Sequence, residues 1–128
     1  MNLHWLAWLV VLLALIEGGW LAFDGGHALL TGDYVTPKTG RFAGQLGPWA
    51  SVVSALGIEP RSTLMKSIHL LLGLGWLVVM VAFVLGARWA WWGMLGCAAA
   101  ALWYLPFGTL LSLVQIVLLL LPQVRGQG

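Results

Sequence analysis

The chain has 128 residues, 61% of them hydrophobic and 8% charged, with a mean hydropathy of +0.95. A soluble domain carries about 25% charged residues, and a chain this short cannot bury so much apolar surface within itself, so composition excludes an ordinary soluble domain and points to a bilayer. A net charge of +2, scattered along the chain, excludes a nucleic-acid footprint, and the lone Cys97 excludes an intrachain disulfide, a CxxC redox pair and a cysteine zinc site.

The first hydrophobic segment runs from about Leu3 to Phe23, with a continuation towards Leu30. No Lys or Arg precedes it and no small-x-small cleavage site follows it, so it reads as a retained transmembrane helix. Glu17 lies deep within this run, where an ionisable side chain costs at least a few kcal/mol. On a helix, Glu17, Trp20, Asp24 and His27 share one face, because offsets of three, seven and ten match a period of 3.6. The Gly25-Gly26 pair is the place where such a helix would stop, and stopping there would remove half of the stripe.

Residues 24–62 form the one long connection. Its glycines and prolines predict serial turns, while its Tyr, Phe, Leu and Trp content predicts order. Trp49, Val52, Val53 and Leu56 repeat at helical spacing and predict a short interfacial helix ended by Gly57. Ser62 is the expected N-cap of the second segment, Leu64 to Leu85.

The third segment spans Arg88 to Leu105 and the fourth Thr109 to Leu121. Pro106 is expected to stop the third, Gly108 to free the hairpin, and Pro122 to end the fourth. A span needs roughly 20 residues, so the fourth segment is short. Trp5, Trp8, Trp89, Trp91, Trp92, Trp103 and Tyr104 flank the segments as an aromatic belt would. Trp20 and Trp76 fall outside that pattern. Gly73-x-Gly75 and Gly93-x-x-Gly96 lie within apolar helices, where small residues allow close packing. Cys97 reads as another small packing residue.

The expected fold is therefore all-α: a single-domain, integral membrane four-helix bundle with a structured, Gly/Pro-rich loop between helices one and two. In that topology the end of helix one, the start of two, the end of three and the start of four meet on one side. Glu17, Trp20, Asp24, His27, Lys66, His69, Tyr104, Ser112 and Gln115 gather there as the candidate ligand-binding residues. Three chemistries compete for them. In the structural one, Glu17 or Asp24 pairs with Lys66, while His69, Ser112 and Gln115 bridge helices. In the second, the polar end of an apolar bundle holds a quinone-like amphiphile. In the third, His27 and His69 with a carboxylate hold haem or a metal, although their spacing matches no compact metal motif, so no metal ligand is assigned. Nothing in the spacing specifies a nucleophilic triad or a phosphate-binding loop, and no catalytic residue or cofactor follows.

His-Leu-Leu-Leu-Gly-Leu-Gly-Trp at 69–76, followed by Gly-Ala-Arg-Trp-Ala-Trp-Trp at 86–92, resembles the second helix and basic turn of DoxX-like proteins. Leu-Pro-Phe-Gly-Thr-Leu-Leu-Ser at 105–112 resembles the hairpin of related small bacterial four-helix membrane proteins. The resemblance covers about residues 64–121 and implies a multi-pass protein of the bacterial inner membrane with a cytoplasmic N-terminus. Lys38, Arg41, Arg61 and Lys66, against Arg88 and Arg125, favour instead a cytoplasmic long loop. Small size, flat apolar faces and the lack of a catalytic constellation point to an accessory or structural subunit, partnered by the bilayer and by another membrane protein or its own copies. The resemblance implies a redox component that binds a quinone, and Glu17 alone suggests a path for protons or solutes.

Overall fold

The computed structural model describes residues 4–36, 46, 48–104 and 107–125. Among these every regular element is helical. The helices are α1 (Trp5–Thr31), α2 (Trp49–Ala55), α3 (Thr63–Val84), α4 (Trp89–Ala100), α5 (Phe107–Leu120) and α6 (Pro122–Arg125). Two of them, α1 with 27 residues and α3 with 22, are long and apolar enough to cross a membrane. At 1.5 Å per residue these reach about 40 and 33 Å, against a hydrocarbon core of about 30 Å. The remaining apolar helices are shorter than a full span, so of the four expected spans two are long helices and the other two a short pair.

The α1–α3 pair is the most extensive interface. It is antiparallel and unusually close, for a reason visible atom by atom. A β-carbon on Gly73 would meet the backbone of Ala22 and lie 2.6 Å from the Gly18 carbonyl oxygen. One on Gly25 would meet the Leu70 backbone and lie 2.8 Å from His69 Cβ. α1 therefore runs straight through Gly25-Gly26 rather than stopping near Phe23. Mid-helix glycine costs about 1 kcal/mol, which the backbone-to-backbone contact it permits offsets. The helix stops instead at Gly32, whose φ of 99° closes a left-handed cap with its N–H on the Ala28 carbonyl.

Ser62 caps α3 as expected, its hydroxyl accepting from the Met65 N–H at 3.1 Å. The short helix predicted around Trp49 is α2, and Gly57 follows it at φ 87°. α4 ends at Ala100, short of the predicted Leu105. Thr109 draws the chain round: its N–H bonds the Tyr104 carbonyl at 3.1 Å and its hydroxyl the Leu102 carbonyl, satisfying groups that a longer helix would have used. The predicted stop at Pro106, the Gly/Pro-rich centre of the loop (37–45 and 47) and Lys38 and Arg41 lie outside the described residues. α5 ends at Leu120, just before Pro122, as expected, and Pro122 then opens α6, the position in a first helical turn that proline tolerates.

Two cores result. The larger gathers Val10, Ala14, Leu21, Trp76, Phe83, Met94 and Leu119 between α1, α3, α4 and α5. The smaller, at the other end, holds Ala28, Tyr34, Trp49, Val53 and Met65. Outside both, large apolar side chains face outward: Leu12, Leu15 and Ile16 on α1, Leu71 and Val78 on α3, Leu113 and Val117 on α5. Trp5, Trp8, Trp89 and Trp92 are exposed at the end of the bundle where α1 and α4 begin, as a belt requires. Trp91 leaves the belt. It is buried, donates its indole N–H to the Leu119 carbonyl at 2.8 Å, and has the Arg125 guanidinium 5.2 Å over its ring.

Candidate functional site

The polar residues picked from the sequence do converge on the end of the bundle where α1 finishes and α3 and α5 begin, but in separate groups. In the first, Glu17 meets α5. Ser112 donates its hydroxyl to Glu17 Oε2 at 3.0 Å, with Oε1 at 3.2 Å, and Gln115 donates from Nε2 to Oε1 at 3.0 Å. Ser112 and Gln115, three apart, face the same way on α5. Gln115 Nε2 also donates to the Leu111 carbonyl at 3.2 Å, which fixes the orientation of its amide and leaves Oε1 without a partner. All three side chains are buried. Close by, Trp76 packs against Gly18, and its indole nitrogen is likewise buried and unpartnered.

Trp20, also on α1, is partly exposed and donates its indole N–H to the Tyr104 hydroxyl at 2.9 Å. That bond carries the line of contact from α1 to the α4–α5 turn. Tyr104 in turn lies over Gly108, where any β-carbon would strike its ring.

His69 is the centre of the second group and is completely buried. Its Nδ1 lies 2.9 Å from the Met65 carbonyl, one turn back. A carbonyl only accepts, so Nδ1 carries the proton and Nε2 is the bare acceptor nitrogen of the ring. Nε2 has no hydrogen-bond partner. Four rings surround the imidazole: Tyr34 and Trp49 with centroids at 4.7 Å, Trp103 at 5.3 Å and Tyr104 at 5.5 Å. Tyr34 and Trp49, both from the long connection, close the cage from outside. Neither is among the candidate ligand-binding residues read from sequence. The signal for Trp49 was its place on the apolar face of a short helix; for Tyr34 it was only the Gly-Asp-Tyr-x-Thr-Pro run at 32–37, which names no partner.

The third group ties the connection down. Asp24 is buried and accepts from the Val35 N–H at 2.7 Å. His27 donates from Nδ1 to the Asp33 carbonyl at 2.9 Å. Lys66 does not pair with Glu17 or Asp24, as the sequence suggested; its ammonium donates to the Gly32 carbonyl at 2.7 Å, one of the groups freed where α1 ends. Among the described residues the ion pair is Arg61 with Asp33, at 3.0 Å and well exposed. Burial acts to raise the Asp33 pKa, but the Arg61 hydrogen bond, the Tyr34 N–H and the charges of Arg61 and Lys66 outweigh it and hold it below the ordinary value. Burial, helped by the Asp24, Tyr104 and Asp33 charges, pushes the Tyr34 phenol well above its usual range, so it stays a donor to the Pro60 carbonyl at 2.9 Å.

The expected bridging role therefore belongs to Ser112 and Gln115, which join α1 to α5, while His69 bonds only its own helix. Among the described residues no three His, Cys, Asp or Glu side chains come together as metal ligands. His27 is committed to Asp33, so the pairing of His27 with His69 considered from sequence does not form. No family model, curated protein or solved structure matches this chain.

Proposed function

We propose that this chain is a small integral membrane protein that acts as a non-catalytic accessory or structural subunit of a larger membrane assembly. One observation carries the reading: Glu17, Ser112, Asp24 and Lys66 are bonded to one another or to backbone, while the outward faces of α1, α3 and α5 are almost purely apolar. Such surfaces require lipid or another apolar helix as their solvent. Leu113, Val114, Val117 and Leu118 form an open apolar patch on α5, part of that surface.

The reading in which a quinone-like amphiphile sits between Glu17 and His69, in the manner of the DoxX-like resemblance, draws less support. Glu17 is occupied by α5, His69 is enclosed by rings, and Tyr104 lies between the two groups. Native mass spectrometry of the chain, gently solubilised from its own membrane, separates the two. A heavier complex with other polypeptides is expected; a lone monomer carrying a quinone-sized mass reverses the order of the two readings.

A further inference from the structure

The His69 cage contains an anomaly that the subunit reading does not use. A buried acceptor without a partner costs about 1–3 kcal/mol, and native structures seldom leave one without a reason. His69 Nε2 is such an atom, at zero exposure. The other ring nitrogen is held on a backbone carbonyl at 2.9 Å. That is the arrangement by which proteins orient a metal-binding imidazole, since it fixes the tautomer and turns the free lone pair outward from the helix. One turn back on the same face lies Met65, 2% exposed and packed in the same core as Tyr34 and Trp49. Its thioether is a soft ligand.

From this geometry we infer that His69 Nε2 and the Met65 thioether form a binding site for a soft monovalent cation, copper(I) in chemical class, walled by Tyr34, Trp49, Trp103 and Tyr104. Thioether and imidazole together select copper(I) over hard oxygen-seeking ions. The ring faces attract a cation, and the rings on the imidazole among the described residues are all neutral, which suits a single positive charge. A water on Nε2 is the competing occupant, since the Tyr34 hydroxyl, donating to Pro60, can still accept and the Tyr104 hydroxyl, accepting from Trp20, can still donate; an organic molecule fits worse. An organic ligand needs open volume, whereas the imidazole is sealed by rings. The outer wall, Tyr34 and Trp49, belongs to the connection between α1 and α3 rather than to the apolar bundle.

The test is titration of the full-length chain in detergent with copper(I), in competition with a chromophoric copper(I) chelator and followed by tryptophan fluorescence. Stoichiometric binding with quenching is expected, abolished in His69→Leu and unchanged in His4→Gln and His27→Gln. Met65→Leu conserves volume, and is expected to remain folded by circular dichroism while weakening binding by about 10–100-fold, the range seen when a metal site loses a supporting group. Failure of the wild type to compete for copper(I), binding retained in His69→Leu, or unchanged affinity in a folded Met65→Leu overturns the site. Each result is independent of whether the chain co-purifies with a partner.

Discussion

Glu17 shows how a costly residue is accommodated by two neighbours on another helix. Removing the carboxylate strands the Ser112 hydroxyl and leaves Gln115 only its Leu111 bond, so Glu17→Leu is expected to destabilise the fold by about 1–3 kcal/mol. Ser112→Ala removes one helix–helix bond of the kind worth about 0.6 kcal/mol on average, and at most about 1.7. Reversible denaturant unfolding in mixed micelles checks both, and equal losses would mean that the Gln115 bond adds nothing to the Glu17 site. The Asp33–Arg61 pair behaves differently because it is exposed. Asp33 has a lowered pKa when folded, so its contribution is present above the ordinary carboxylate range and fades as pH falls through the folded value. An exposed pair is worth at most about 1 kcal/mol. Arg61→Gln should therefore reduce stability slightly at neutral pH and flatten its acid-side decline; a parallel decline in both proteins would exclude the pair as a cause. The sequence located Glu17, Ser112 and Gln115 because polar residues are rare in apolar helices. It mispaired Lys66 because periodicity gives the face of a residue but not its depth, and depth decides which group it meets.

At the scale of the helix, glycines that look alike in sequence have opposite roles. Gly73 has no room for a methyl group, while a β-carbon on Gly75 meets nothing within 4 Å. Gly73→Ala should cost about 1–3 kcal/mol by forcing α1 from α3. Gly75→Ala should be neutral or stabilise by about 0.5–1 kcal/mol through helix propensity. Thermal unfolding of the two variants side by side checks this, and equal effects would mean that the close approach is not what holds the pair together. The Gly-x-Gly spacing predicted close packing but not which glycine supplied it. The same limit explains Gly25-Gly26. Read locally the pair is a breaker; in place, Gly25 is where α3 passes, a fact that belongs to the partner helix.

The whole molecule has two ends of different character, a tryptophan-rimmed apolar end and one where polar groups and rings are capped by the α1–α3 connection. The convergence of helix ends was legible once an up-and-down order was assumed. The aromatic cage was not, because two of its four walls come from a connection whose sequence shows turns rather than direction. If α1 and α3 both cross a bilayer, Ser54 and Arg88, each exposed, lie on opposite sides of it. In a Cys97→Ala background, Ser54→Cys and Arg88→Cys should react with an impermeant maleimide from opposite faces of sealed vesicles. Labelling of both from one face would mean that α3 does not cross.

The short pair α4 and α5, of 12 and 14 residues, extends only about 18 and 21 Å along its helices, roughly a third less than the hydrocarbon it would meet. α1 and α3 match or exceed that thickness. Embedded, the molecule would be thick on one flank and thin on the other. Acyl chains beside α4 and α5 would have to compress, or the protein tilt, at a cost of fractions of a kcal/mol for each ångström of mismatch. A neighbour with an equally short flank would relieve that compression by docking there. The bilayer itself would then favour association on the α4–α5 side, giving assembly a direction before any side chain recognises another.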